Sequence, residues 1–144
     1  MADTFTRAQR SQIMSSVRST GTKPEKMCER LMKLAKIRFR KQPNNLIGHP
    51  DFVLPEACVA VFVHGCFWHG HESCKHSSLP SSNLEYWKKK IERNRRRDAQ
   101  VLRSLRKAGW RTAVFWECKM QNAESVTRRL LRLSQLRGGG KELC

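Results

Sequence analysis

The chain has 144 residues, 39% of them hydrophobic, with 29 Lys and Arg against 12 Asp and Glu, for a formal charge of +17. That length suits one domain with its own core. No apolar run approaches the roughly 18 residues of a membrane span, and no basic start followed by an apolar block reads as a signal peptide. A secreted disulfide mini-protein, an integral membrane protein and an acidic disordered chain are set aside. What is expected is an intracellular, compact basic domain with an anionic partner, either nucleic acid or an acidic membrane surface.

In chain order, residues 6–17 read as a short helix that Gly21 breaks. Thr22-Lys23-Pro24-Glu25 has the form of a capping box, with Thr22 as N-cap and Glu25 at the third helical position. The helix that follows is expected to reach about Lys36, with Met27, Leu31 and Leu34 on its apolar face. Residues 37–40 read as an edge strand, and 42–50, with Pro43, Asn44, Asn45, Gly48 and Pro50, as a loop. The short β-branched runs 52–54 and 58–63, separated by Pro55-Glu56, predict an antiparallel hairpin.

Residues 64–83 are irregular and rich in His, Ser and Gly. A long helix is expected over 84–108, ended by Gly109. Its apolar stripe (Val101, Leu102, Leu105, Ala108) occupies only the second half, so the first half is expected to project from the core. Residues 110–116 read as a third buried strand with Trp110 and Trp116 in the core, and 123–136 as a last helix before a flexible Gly138-Gly139-Gly140 tail. This order predicts a mixed α/β sheet flanked by helices.

The charge is clustered. Residues 88–97 carry seven basic side chains in ten, among them Lys88, Lys89, Arg93, Arg95 and Arg96. Further groups lie near the N-terminus (Arg7, Arg10, Arg18, Lys23, Lys26) and after Val126. One run alone is as compatible with a solvated helix face as with binding. Three runs with few acids between them favour phosphate contacts.

The chain has six cysteines, and three of them bear on chemistry: Cys66, Cys74 and Cys118. Histidines crowd the first two in the segment His64-Gly65-Cys66-Phe67-Trp68-His69-Gly70-His71-Glu72-Ser73-Cys74. Cys66, His71, Cys74 and Cys118 would make a closed Cys₃His zinc site. A long irregular loop cannot order itself by burial, and a metal supplies the missing free energy. Cys28 and Cys58 read instead as small buried hydrophobes. Asp51, after Pro50 and before the hairpin, is either an ordinary strand-end carboxylate or the metal-binding Asp of nucleases with the restriction-endonuclease (PD-(D/E)xK-type) fold. Those carry Glu-x-Lys on the next strand, where this chain has Phe62-Val63-His64. Phe67, Trp68 and Trp87 beside cationic clusters could wedge between base pairs.

Pro50-Asp51-Phe52-Val53, His64-Gly65-Cys66-Phe67-Trp68-His69-Gly70-His71, Glu85-Tyr86-Trp87, Gly109-Trp110-Arg111 and Trp116-Glu117-Cys118 together resemble the very-short-patch repair (Vsr) mismatch endonucleases. Arg10-Ser11-Gln12-Ile13-Met14 and Gly21-Thr22-Lys23-Pro24-Glu25 are similar too, so the likeness covers about residues 7–136.

The resemblance implies one restriction-endonuclease-like domain over 1–144. Residues 1–22 would be a DNA-contacting arm that includes Met14, and 137–144 a tail. It implies a structural Zn²⁺ and a Mg²⁺-dependent nick 5′ of the thymine in a T·G mismatch left by deamination of 5-methylcytosine. Asp51 and the main-chain carbonyl of Val63 would hold Mg²⁺, and Glu25 would assist through water. His69 would orient or deprotonate the attacking water, and His64 would stand at the scissile phosphate.

Phe67, Trp68 and Trp87 would intercalate, while the basic residues at 88–97 hold phosphates. The zinc ligands carry one residue more between His71 and Cys74 than the family pattern, so His76 stands as an alternative ligand. Expected with these are double-stranded DNA as partner, no membrane, a cytoplasmic monomer and helper repair proteins. The competing readings are a non-catalytic zinc-stabilised DNA binder and a related nuclease that cuts unmismatched sites.

Overall fold

The computed structural model describes residues 21–136. The expected 6–17 helix, Met14 and the rest of the arm before Gly21, and the tail at 137–144 lie outside the described residues. Helix α1 (Lys23–Leu34) starts at Thr22, whose Oγ1 accepts from the Glu25 amide at 3.4 Å, with Pro24 in the first turn. Strands β1 (Arg40–Lys41), β2 (Phe52–Leu54) and β3 (Val59–His64) follow, then α2 (Leu84–Lys107), β4 (Arg111–Trp116) and α3 (Ala123–Gln135). Among the described residues, no helix is long and apolar enough to cross a membrane.

The sheet order is β1-β2-β3-β4. β2 and β3 form the expected antiparallel hairpin, with Phe52 opposite Val61. The edge strand expected at 37–40 forms only as β1, Arg40–Lys41, paired antiparallel to β2, while Ile37 packs in the core. β3 and β4 are parallel, joined by the long loop and α2, and their register sets His64 beside Trp116 at the carboxyl ends of both strands.

Alternation along the strands sends side chains to two cores. Val59, Val61, Val63, Ala113 and Phe115 pack with Cys28, Leu31, Met32, Val126 and Leu130 of α1 and α3. Ala60, Phe62 and Val114 pack with Val101, Leu102, Leu105 and Trp110 on the side of α2. The predicted mixed sheet flanked by helices is therefore what forms. His64 and Trp116 share the parity of the α2-facing positions.

Three further sequence expectations change. The buried stripe of α1 is Glu25, Cys28, Leu31 and Met32, whereas Met27 and Leu34 are 37% and 72% exposed. The first half of α2 does not project freely. Trp87 and Ile91 are buried, and the loop after β3 lies on this half of the helix. Gly70 permits the approach. Its φ is +59°, and a Cβ there would stand 2.6 Å from Ile91 Cγ2 and 2.7 Å from Arg95 Cδ. Finally, Trp116 is only half buried and belongs to neither core, whereas Trp110 is a core residue as expected.

Candidate active site and metal centre

Asp51 sits at the entry to β2, where its Oδ2 accepts from the Val63 amide at 2.7 Å. Glu25 of α1 is 6% exposed, and its Oε2 accepts from the Gly21 amide at 2.9 Å. Glu25 thus caps its helix and also lies against Asp51. Burial raises the Asp51 carboxyl most. The Val63 amide pulls it down and the Glu25 carboxylate pushes it up, leaving it at about 7 against an ordinary 3.8. Cys28 is pushed to about 12, first by burial and then by the charges of Asp51 and Glu25. Two hard carboxylates crowded in a half-dry pocket repel each other, and a divalent cation would relieve that repulsion.

A histidine pair lies at the end of β3. The rings of His64 and His69 stack with centroids 3.8 Å apart and 4° between planes. His69 Nδ1 is 2.6 Å from Asp98 Oδ2 on α2. Burial, then the neighbouring His69, lowers His64 to about 4, so it is neutral at neutral pH. When Asp98 accepts from Nδ1–H, the Nε2 lone pair of His69 is left free as a base. The nearest ligand atoms of His64, His69 and Asp98 lie within 4.8 Å of one another, a spacing open to a cation. Imidazole lone pairs lie in the ring plane, however, and two parallel stacked rings cannot both aim theirs at one ion. A ring nitrogen held by a carboxylate, with the other nitrogen free, is an arrangement that can transfer a proton.

Asp98 is the residue that sequence reasoning missed. One turn earlier on α2, Asn94 Nδ2 donates to the Trp68 carbonyl at 2.9 Å, and Arg95 pairs with Glu72. Helix α2 therefore holds the loop at three points.

Beyond this pair, Cys66, His71, Cys74 and Cys118 converge, their ligand atoms all within 4.8 Å. Cys118 Sγ is 3.5 Å from His71 Nδ1, and the Cys118 amide donates to Cys66 Sγ at 3.4 Å. Ser73 turns in the left-handed region, with φ 55°, within the one-residue-longer stretch before Cys74. His76 is exposed and outside the tetrad. Three sulfurs and one imidazole nitrogen are a donor set for a borderline-soft divalent ion in a closed site.

Phe67, Trp68 and Trp87 form one aromatic cluster, with centroids 5.2 to 6.0 Å apart and steep interplanar angles. Phe67 and Trp68 are half exposed, while Trp87 is their buried base. Lys90 Nζ lies 5.6 Å from the centre of the Trp68 ring. Of the basic residues expected to meet phosphate, Lys88, Lys89, Arg93, Arg95 and Arg96 are all exposed. Arg95 is paired to Glu72, Arg96 to Glu92 at 2.6 Å, and Lys88 lies 3.9 Å from Glu85.

Residues 2–76 match the family described as DNA mismatch endonuclease Vsr. Over 130 residues the chain is 42% identical to the Type II nicking enzyme V.XorIIP of Xanthomonas oryzae pv. oryzae, covering 90% of this chain and 95% of that protein. Identity to the Type II nicking enzyme V.NmeAIP of Neisseria meningitidis is 39% over 133 residues, 92% of this chain and 94% of that one. Identity to the DNA mismatch endonuclease Vsr of Escherichia coli is 37% over 127 residues, 88% and 81% of the two chains.

Proposed function

Since the chain belongs to the DNA mismatch endonuclease Vsr family, we propose that it is a DNA endonuclease that nicks one strand 5′ of the thymine in a T·G mismatch, with Mg²⁺. The observation that carries this reading is the placement of a half-buried Asp51 against the buried Glu25, and of a carboxylate-oriented histidine beyond the end of β3, in a strongly basic fold. We read that fold as restriction-endonuclease-like, one domain over 1–144 with the arm before Gly21 on DNA.

Asp51 would be the cation ligand. The Val63 carbonyl joins it, because N–H and C=O of one residue in an extended strand project to the same side, and the Val63 amide already meets Asp51. Glu25, which lies against Asp51, would assist through water. The cation supplies charge neutralisation at the scissile phosphate. His69 takes the proton of the attacking water through Nε2, while Asp98 fixes its tautomer and stabilises the imidazolium that results. His64, neutral and stacked on His69, presents its ring to the phosphate. Cys66, His71, Cys74 and Cys118 would hold Zn²⁺, and their convergence would order the loop that carries His69. Replacing Cys118 with Ser should halve or abolish zinc content and lower the melting temperature. Unchanged zinc would remove Cys118 from the set.

Phe67 and Trp68, with Trp87 beneath, form the wedge. A T·G wobble is already destabilised, so entering beside it requires less unstacking work than entering a sound pair. The buried Trp87 Nε1 has no acceptor among the described residues. An unpaired buried donor costs about 1–3 kcal/mol, which favours opening of the cluster against DNA. Lys89 and Arg93 are exposed and one helical turn apart. Replacing both with Ala should reduce the slope of log affinity against log salt by about 2. A single-turnover rate at saturation that also collapsed would place them in the chemistry instead.

The decisive assay uses an end-labelled duplex with one T·G pair, in Mg²⁺ and then in EDTA. Nicking of the thymine strand only with Mg²⁺ is expected. Equal cleavage of matched duplex would overturn the mismatch reading, and binding without cleavage in any context would leave a DNA binder.

A further inference from the structure

Between the tetrad and the histidine pair stands Trp116, which neither core claims. Its indole stacks face-on upon the His71 ring, with centroids 4.1 Å apart and 9° between planes. Its edge meets His64 at 5.3 Å and 74°. His64 in turn stacks on His69, whose far side is held by Asp98. The rings therefore form a continuous array, His71–Trp116–His64–His69, from the tetrad to the base.

The chain connectivity repeats the same link. His64, His69 and Trp116 each precede a tetrad residue by two positions, namely Cys66, His71 and Cys118. Three backbone anchors converge on one centre, and the ring borne two residues upstream of each meets its neighbour in the array. A residue that merely filled space would be expected within one of the two apolar clusters. This one is half exposed and touches histidines on two sides.

Resting on the endonuclease reading above, we propose that Trp116 is a positioning residue: it transmits the geometry of the Cys/His centre to the His64–His69 pair, so that this centre sets catalytic rate and not stability alone. Trp116 touches no reacting atom. It acts by fixing the plane of His64, against which His69 is stacked.

The test uses the full chain with ring-labelled histidine, as wild type, Trp116→Leu and Trp116→Phe. Histidine ring-proton shifts are recorded without DNA, alongside zinc content, melting temperature, DNA affinity and single-turnover nicking of a T·G duplex. In Trp116→Leu the His64 and His69 resonances should move together with that of His71. The saturated rate should fall by about tenfold or more while affinity stays within about twofold, because small misplacements of a catalytic group act on rate rather than binding. Trp116→Phe keeps a flat ring and should recover most of the rate with near-native zinc content, which guards against a folding defect in the Leu variant. If His71 alone shifts and the rate is unchanged, the proposal is overturned. So it is if rate follows melting temperature across both variants with no displacement of His64 and His69. Failure of wild type to nick would instead overturn the endonuclease reading, and the claim about rate with it.

Discussion

Asp51→Asn is expected to abolish nicking and, in EDTA, to make the protein more stable. The loss of nicking follows from the proposed place of Asp51 at the cation; the gain in stability follows from burial beside Glu25, which pushes its carboxyl up to about 7 from an ordinary 3.8. The folded state favours the protonated acid. Stability is therefore undiminished by this group below about pH 4, declines as pH rises from 4 towards 7, and bears the full penalty above 7. Asparagine keeps an oxygen for the Val63 amide and carries no charge. In EDTA at pH 8 the melting temperature of the variant should exceed that of wild type by roughly 3 °C or more. The difference should vanish towards pH 4. Added Mg²⁺ should raise the melting temperature of wild type and leave the variant where it is. Nicking should fall by about 10³-fold or more, since a bound cation contributes several kcal/mol of charge stabilisation in the transition state. A variant that nicked at the wild-type rate would take Asp51 out of the site. One that was destabilised at pH 8 would show that burial and Glu25 do not strain the carboxylate.

Much of this arrangement was legible from the sequence because it depends on residue type. Hairpin strands need β-branched residues and a turn, and Pro55-Glu56 between two such runs supplied both. A tetrad able to hold a borderline-soft metal needs soft donors, and few residues can provide them. What escaped notice depends on register. Asp98 ends a run of three arginines, where an acid reads as an ordinary surface partner. A signal was nevertheless present. Extending the stripe of Val101 and Leu105 backwards at helical spacing passes through Asp98, Asn94, Ile91 and Trp87. The polar members interrupt the apolar pattern, so by residue type alone the stripe stops at Val101 and the first half of the helix projects. Those polar positions hold His69 and the Trp68 carbonyl.

Helix α1 carries the same lesson. Its inward face includes Glu25, which looks like a solvent or capping position by type, and the expected apolar stripe was displaced by that choice. Size and strand position alone place Trp116 in the core. Its role depends on lying across from His64 in a parallel pairing that no local pattern encodes. In each case a polar or aromatic side chain broke a local pattern because a partner distant in sequence required it there. Local and global preferences tend to part at functional sites, and these positions fit that pattern.

Asp98→Asn should separate chemistry from binding more sharply than any change to the basic helix. The carboxylate can only accept from His69 Nδ1, and so leaves Nε2 unprotonated and ready to take a proton. An amide in its place can donate from its own nitrogen, which favours the tautomer with the proton on Nε2, and it offers no charge to the imidazolium formed during attack. The saturated single-turnover rate should drop by about 10²–10⁴-fold, the usual range for losing general-base assistance. His69→Ala should fall as far, and the double variant little further, since the two residues act as one unit. DNA affinity should hold within about twofold or rise slightly, because removing a negative charge beside a phosphate backbone cannot weaken the Coulombic attraction. The Lys89 and Arg93 double variant should do the reverse, with affinity and salt slope falling and the saturated rate preserved. If Asp98→Asn nicked at the wild-type rate, stacking on His64 alone would suffice to orient His69. Trp116, whose edge meets His64, would then carry the positioning that Asp98 is assigned here.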